Sequence, residues 1–245
     1  MVMQGGHNIS GKPVGVISLD SRFPKPPGHI KNPGSLSFPV LFSPRVQGVT
    51  VARLLREPGD KVLELVLDAA RYLEDEGAGA ITGSCGFLAL YQREIADAVS
   101  VPVFVSSLIQ VPMVSRMLGG GRRIGVMTAS ADSLTAKHFQ AVGADMADVA
   151  IVGMDDQPEF RDVILDGKRH DMDLAKIEAE LLDAADRLAS TTPDLGAVIL
   201  ECTDMSHFAQ RIQARLNLPI FDLTSLTTMV ATAISRNPYR DLRSP

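Results

Sequence analysis

The chain has no tryptophan, three tyrosines, and only two cysteines, Cys85 and Cys202, among its 245 residues. Two cysteines cannot build the multiply bridged scaffold of a small secreted domain, and in a reducing compartment both stay thiols. Basic residues are not in excess either: 24 Lys and Arg face 29 Asp and Glu, a formal net charge of −5. Such a chain lacks the global positive field that holds nucleic acid or an anionic bilayer, so small molecules are the expected partners. No apolar run approaches the roughly 20 residues of a spanning helix, and Met1 to Gly11 lacks the basic-then-apolar order of a secretory leader. A cytoplasmic location without membrane contact is expected. Metal ligation is not expected, because neither cysteine has a local Cys or His partner and His7, His29, His138 and His170 show no ligand spacing. Gly119-Gly120-Gly121 lacks the Lys-Ser/Thr of a phosphate loop and reads as a hinge or turn.

What is present is an apolar fraction of 45%, enough for a sizeable core. Short β-branched runs alternate with longer amphipathic stretches, the pattern of parallel strands joined by crossover helices. The runs predict strands at 14–19, 80–84, 101–105, 123–128, 149–154, 196–201 and 218–222. Helices are predicted over 60–72, on a stripe of Val62, Leu65, Val66, Ala69, Ala70 and Leu73, and over 171–189, on Leu174, Ile177, Leu181, Leu182, Ala185 and Leu188. The chain also resembles itself. Gly79-Ala80-Ile81 leading to Cys85 parallels Gly196-Ala197-Val198-Ile199 leading to Cys202, and Pro102 and Pro219 each follow their cysteine by 17 residues. The expected fold is α/β with two similar lobes, each a parallel sheet flanked by helices, related by a pseudo-two-fold axis with the active cleft between them. Residues 1–118 form the first lobe, with 223–245 returning to it, and 119–222 form the second.

Ligands in parallel α/β sheets bind beyond the carboxyl ends of the strands, where both cysteines fall. Helix-compatible sequence follows each of them, 86–99 and 203–216, so a helix N-terminus is expected to pull each thiol toward neutrality. Two such thiols on opposite faces of one carbon form a symmetric acid/base pair. Residues 21–48 hold Pro24, Pro26, Pro27, Pro33, Pro39 and Pro44 and make an unusually long loop. It carries Arg22, Lys25, Lys31 and Arg45 with no acid, so it suits either a solvated surface loop or a lid that draws in an anion, with Phe38 and Phe42 excluding water. His207 reads as a packing or surface histidine.

Ser84-Cys85-Gly86 and Glu201-Cys202-Thr203-Asp204 at equivalent strand ends make the chain resemble the aspartate/glutamate/hydantoin racemase superfamily over nearly its whole length. The resemblance implies cofactor-independent inversion of a carbon next to a carboxylate, with Cys85 and Cys202 removing and delivering the proton. It implies assistance to the thiols from Asp20 and Asp204, and a carboxylate site drawn from Ser21, Ser84, Thr128, Ala129, Ser130 and Thr203; beside it the Gly86 N–H is a further donor, Phe87 an apolar wall, and Arg45, from the charge of the long loop, a further contact for the anion. In the amino-acid racemases Asn-Thr usually follows the first cysteine, and that asparagine contacts the substrate; here Gly86-Phe87 follows Cys85, which points away from aspartate or glutamate toward another carbon acid. Two alternatives stand beside racemisation: a single-thiol decarboxylase or isomerase of the same superfamily, and a two-lobed module that only binds a carboxylate. A homo-oligomer is compatible with these features, which do not fix the oligomeric state.

Overall fold

The computed structural model describes residues 5–236, so residues 1–4 and 237–245 of the expected first lobe lie outside the described part. Among the described residues, eight strands form two parallel four-stranded sheets. The first sheet contains β1 (Val14–Ile17), β2 (Val40–Phe42), β3 (Ala80–Gly83) and β4 (Val103–Phe104) in the order β2-β1-β3-β4. The second contains β5 (Arg123–Thr128), β6 (Val149–Gly153), β7 (Leu195–Leu200) and β8 (Ile220–Phe221) in the order β6-β5-β7-β8. Each sheet therefore lists its strands as second, first, third, fourth, the identity that a duplicated unit produces. The strands are apolar on both faces because helices cover both, as in β1 and β3, where every residue is buried.

The helices are α1 (Val51–Arg56), α2 (Asp60–Asp75), α3 (Gln92–Ala98), α4 (Val111–Met117), α5 (Ala136–Ala141), the single turn α6 (Pro158–Phe160), α7 (Leu174–Thr191), α8 (Ala209–Leu216) and α9 (Leu223–Ile234). Local chemistry sets their ends. Thr50 accepts from the Arg53 N–H to start α1, Asp173 accepts from the Ala175 and Lys176 N–H groups to start α7, and Asp222 with Ser225 forms a reciprocal cap on α9. Helix α2 buries Val62, Val66, Ala69, Ala70 and Leu73, but Leu65 is exposed. Helix α7 buries Ile177, Leu181, Ala185 and Leu188 from its expected stripe and adds Ala184, whereas Leu174, one residue past the cap, faces solvent.

Two helices cross between the sheets. After β4, the turn Ser107–Gln110 and α4 leave the first sheet and pack on β7 and β5, and the Ser107 hydroxyl donates to the Leu200 carbonyl at 2.7 Å. After β8, α9 makes the reverse journey: Leu223, Leu226 and Ala231 bury against Val14, Ala80 and Phe104 of the first sheet. Strand β2 was not anticipated; three residues between Pro39 and Pro44 carry too little pattern to separate from a loop, yet Val40, Leu41 and Phe42 pair with β1. Gly120 and Gly121 adopt positive φ, 68° and 72°, so the glycine run between the lobes is the turn expected of it. No helix among the described residues is long and apolar enough to cross a membrane.

Candidate active site

Cys85 and Cys202 each lie two residues beyond a strand, β3 and β7, and each leads into a 3-10 turn, Gly86–Tyr91 and Thr203–Phe208, before the α-helix begins. The two loops abut. The Thr203 hydroxyl donates to the Ser84 carbonyl at 3.0 Å, so residues adjoining the two cysteines touch across the lobes. Gly86 is pressed against the other loop: a Cβ there would stand 2.1 Å from the Glu201 carbonyl oxygen and 2.2 Å from Glu201 Oε1. Any side chain at 86 is excluded, and the Glu201 carboxyl occupies its place.

Both thiols are buried, at 6% and 5% exposure. The expectation that helix termini would bring them near neutrality is not met. Burial pushes Cys85 well above the usual thiol range, the Glu201 carboxylate adds to this, and the Phe87 N–H only partly opposes it. Burial also raises Cys202, followed by Asp204, Glu201 and Cys85, against the Asp204 N–H. The physical reason is that short 3-10 turns offer little aligned dipole, while two acids stand close to the sulfurs.

The surroundings of the two sulfurs differ. Cys202 Sγ donates to Asp204 Oδ2 at 3.5 Å, and Asp204 Oδ1 lies 3.0 Å from Nε2 of His29. His29 Nδ1 accepts the Lys31 N–H at 2.8 Å, which fixes the proton on Nε2 and directs it to Asp204. Burial lowers the His29 pKa against the pull of Asp204. Burial alone would raise Asp204, but His29, Lys25 and the Cys202 thiol outweigh it and hold the carboxyl low. Lys25, lowered to about 8 by burial and pulled back by Asp204 and Cys202, lies 3.2 Å above the centre of the Phe23 ring and donates to the Phe23 carbonyl at 2.6 Å. Lys31 is lowered by burial as well, and donates to the Leu19 carbonyl at 2.8 Å and the Ser21 hydroxyl at 3.3 Å. Phe23, Lys25, His29 and Lys31 come from the long first loop, which docks on the second lobe through Pro27 carbonyl to His207 Nδ1, 2.6 Å, and on the start of α9 through Gly28 carbonyl to the Thr224 hydroxyl, 2.8 Å.

Beside Cys85 stands Glu201. Burial pushes its carboxyl up to about 7 despite the Thr128 hydroxyl and the Ala129 N–H; the Thr128 contact to Oε2 is 2.8 Å, while Oε1 is buried without a hydrogen-bond partner.

The remaining expected residues divide. Asp20 was expected beside Cys85, but it accepts the Gly48 N–H at 3.1 Å and stands 3.6 Å from Arg45, and the acids acting on that thiol are Glu201 and Asp204. The Ser84 hydroxyl accepts the Leu19 N–H at 3.0 Å, tying β3 to β1. Ser130 is drawn to Asp155, which also accepts the Ala131 N–H. Phe87 is buried edge-on to His138, with centroids 5.2 Å apart. Phe38 packs under α9 and Phe42 lies in β2; the loop residues acting on the Cys202 side are His29 and Lys25. Asp20, Ser21 and Phe23 line one side of a cavity of about 240 Å³ whose far side is Asp166, Arg169 and His170; neither cysteine reaches it. Glu201 and His29 were not anticipated as site residues, and Lys25 only as one of the bases of the long loop. Glu201 stood in the quoted motif, but the partner that gives it meaning, Gly86, belongs to the other lobe.

Paired parallel sheets with a cysteine at each equivalent strand end define the class: the chain has the fold of the aspartate/glutamate racemase superfamily. Unliganded arylmalonate decarboxylase superposes with a TM-score of 0.56 at 16% identity, covering 94% of this chain and 95% of that one. The aspartate racemase of Picrophilus torridus superposes with a TM-score of 0.57 at 12% identity, covering 91% and 94%. No family model matches the sequence. In sequence the chain is similar to dimethylsulfoniopropionate lyase 6 of Emiliania huxleyi (strain CCMP1516), 30% identical over 233 residues, which are 92% of this chain and 60% of that protein. It is also similar to the dimethylsulfoniopropionate lyase of Durusdinium sp. clade D, 28% identical over 222 residues, 88% of this chain and 72% of that protein. The chain thus spans about 60% of the length of the first of these relatives.

Proposed function

We propose that the chain is an enzyme that removes a proton from the carbon next to a carboxylate, with Cys202 as the base, and that elimination of a group from the neighbouring carbon follows. The observation that carries this reading is the hydrogen-bonded line from Cys202 through Asp204 to His29, with the Lys25 ammonium beside it. The thiol proton is lost to solvent before the substrate enters, Asp204 orients the sulfur, the Lys25 ammonium steadies the thiolate, and the thiolate takes the α-proton. The electron pair of the broken C–H bond forms the carbon–carbon double bond, and the leaving group departs with its own bonding pair. For a substrate such as dimethylsulfoniopropionate, the products are an unsaturated acid and a neutral sulfide. The names of the sequence relatives support this outcome.

Racemisation or epimerisation is the second reading, supported by the equivalent strand ends of the two thiols. There Cys85 returns a proton to the opposite face, and the two thiols exchange roles with direction. The unequal surroundings of the sulfurs favour elimination, because inversion in both directions asks the same work of both.

The test supplies dimethylsulfoniopropionate and a panel of chiral carboxylic acids in deuterium oxide, following sulfide release and label at the α-carbon. Cys202→Ala is expected to lower turnover at least about a hundredfold, the scale of general acid/base assistance, and Cys85→Ala less. Equal losses with α-label and inversion select the racemase reading. Turnover undiminished in Cys202→Ala, or no chemistry with any acid, sinks both.

A further inference from the structure

Glu201 is a buried acid that the thiol chemistry above does not use. Its Oε2 accepts the Thr128 hydroxyl at 2.8 Å, while Oε1 has no partner. An unpaired buried oxygen is costly, so a ligand that completes it has energy to gain. Oε1 also stands where a side chain at position 86 would stand, immediately after Cys85. Resting on the carbon-acid reading, we propose that Glu201 uses Oε1 as an O–H donor to an oxygen of the substrate carboxylate, holding it while the α-proton leaves.

The geometry assigns the proton. The Thr128 hydroxyl donates to Oε2, so Oε2 is the acceptor oxygen and the hydrogen of the neutral acid sits on the unpartnered Oε1. When the α-proton goes to sulfur, negative charge grows on the substrate carboxylate, and a hydrogen-bond donor aimed at it from a water-poor site strengthens as the charge grows. Gly86 is the structural counterpart of this arrangement, since a Cβ at 86 would displace the carboxyl. The acid's raised pKa, about 7, agrees with a donor that is neutral on the acid side of that value. The titratable groups around it are Cys85 from the turn after β3, and Cys202 and Asp204 from its own segment.

Propionate binding to the full chain, measured by calorimetry in buffers of different ionisation enthalpy, tests this. One unit above about 7, the wild type is expected to take up close to one proton per propionate bound, because Glu201 must be reprotonated to donate; Glu201→Gln is expected to take up almost none. Glu201→Met, which fills the space without a donor, is expected to bind propionate about tenfold more weakly, the loss of one good hydrogen bond. Thermal unfolding of each variant shows whether it is folded. Equal proton uptake in wild type and Glu201→Gln overturns the proposal, as does unchanged affinity in Glu201→Met or no binding to the wild type. Failure here with thiol-dependent turnover intact removes only the role of Glu201, whereas turnover indifferent to Cys202 removes the underlying reading.

Discussion

Glu201 ties the stability of the fold to pH, and the direction follows from its shift. Its carboxyl ionises near 4.5 in an open chain and at about 7 when folded. Below the first value the acid is neutral in both states and its contribution to stability is complete. As pH rises, the unfolded chain gives up the proton while the folded chain keeps it, so stability falls until the folded group has ionised too. Urea midpoints should therefore show the wild type losing ground to Glu201→Gln between these values, at up to about 1.4 kcal/mol per pH unit. Parallel profiles for the two proteins would contradict the shift. At this scale, the cysteines were legible because each ends a strand that the sequence repeats. Glu201 was not, since what makes it an acid of consequence is the missing side chain of Gly86, 115 positions away by residue number. Asp20 misled for a related reason: motif likeness does not show that Gly48 and Arg45 take its oxygens.

Among the elements, the long first loop differs most from its expectation. Proline content and one-sided charge identified it as unusual, but neither property says where it docks. Its central segment lies over the second lobe, where His29 is buried against Asp204 and Lys25 faces Cys202. Removing the His29 ring leaves a buried carboxylate short of its donor and unfastens the loop locally. His29→Ala is expected to speed alkylation of Cys202 by iodoacetamide more than tenfold, because a lost buried hydrogen bond of about 2 kcal/mol goes directly into local opening. Cys85, with no His29 contact, should change less. Mass-spectrometric rates at the two sites check this, and equal acceleration would mean general unfolding. The regular elements were easier to read: continuous apolar strands and three-to-four-residue stripes depend on near neighbours in the chain, which is why β5 and the main span of α7 agree with their sequence patterns.

For the molecule as a whole, the exchange of α4 and α9 joins the lobes into one folding unit. Each sheet has an apolar face covered by a helix that the other lobe supplies. Denaturant unfolding is expected to follow a single transition, with far-ultraviolet circular dichroism and the reactivity of both thiols sharing one midpoint. Leu226→Ala, emptying a site at 5% exposure between the lobes, should lower that midpoint for both cysteines together, by about 2 to 5 kcal/mol of stability. Separate midpoints would show that the lobes unfold independently. The two-lobed plan was visible as the common 17-residue spacing from cysteine to proline, but short local likenesses do not reveal that helices trade places. The contact of Gly86 with Glu201 adds a consequence for anyone redesigning the pocket. A void on one half is filled by an acid from the other, so the choice at 86 is fixed by the backbone that faces it and the choice at 201 by the absence of a side chain at 86. Libraries that vary position 86 will mostly fail whatever stands at 201, because the backbone carbonyl of 201 already bars a Cβ there, so redesign should hold glycine at 86 and vary 201 alone.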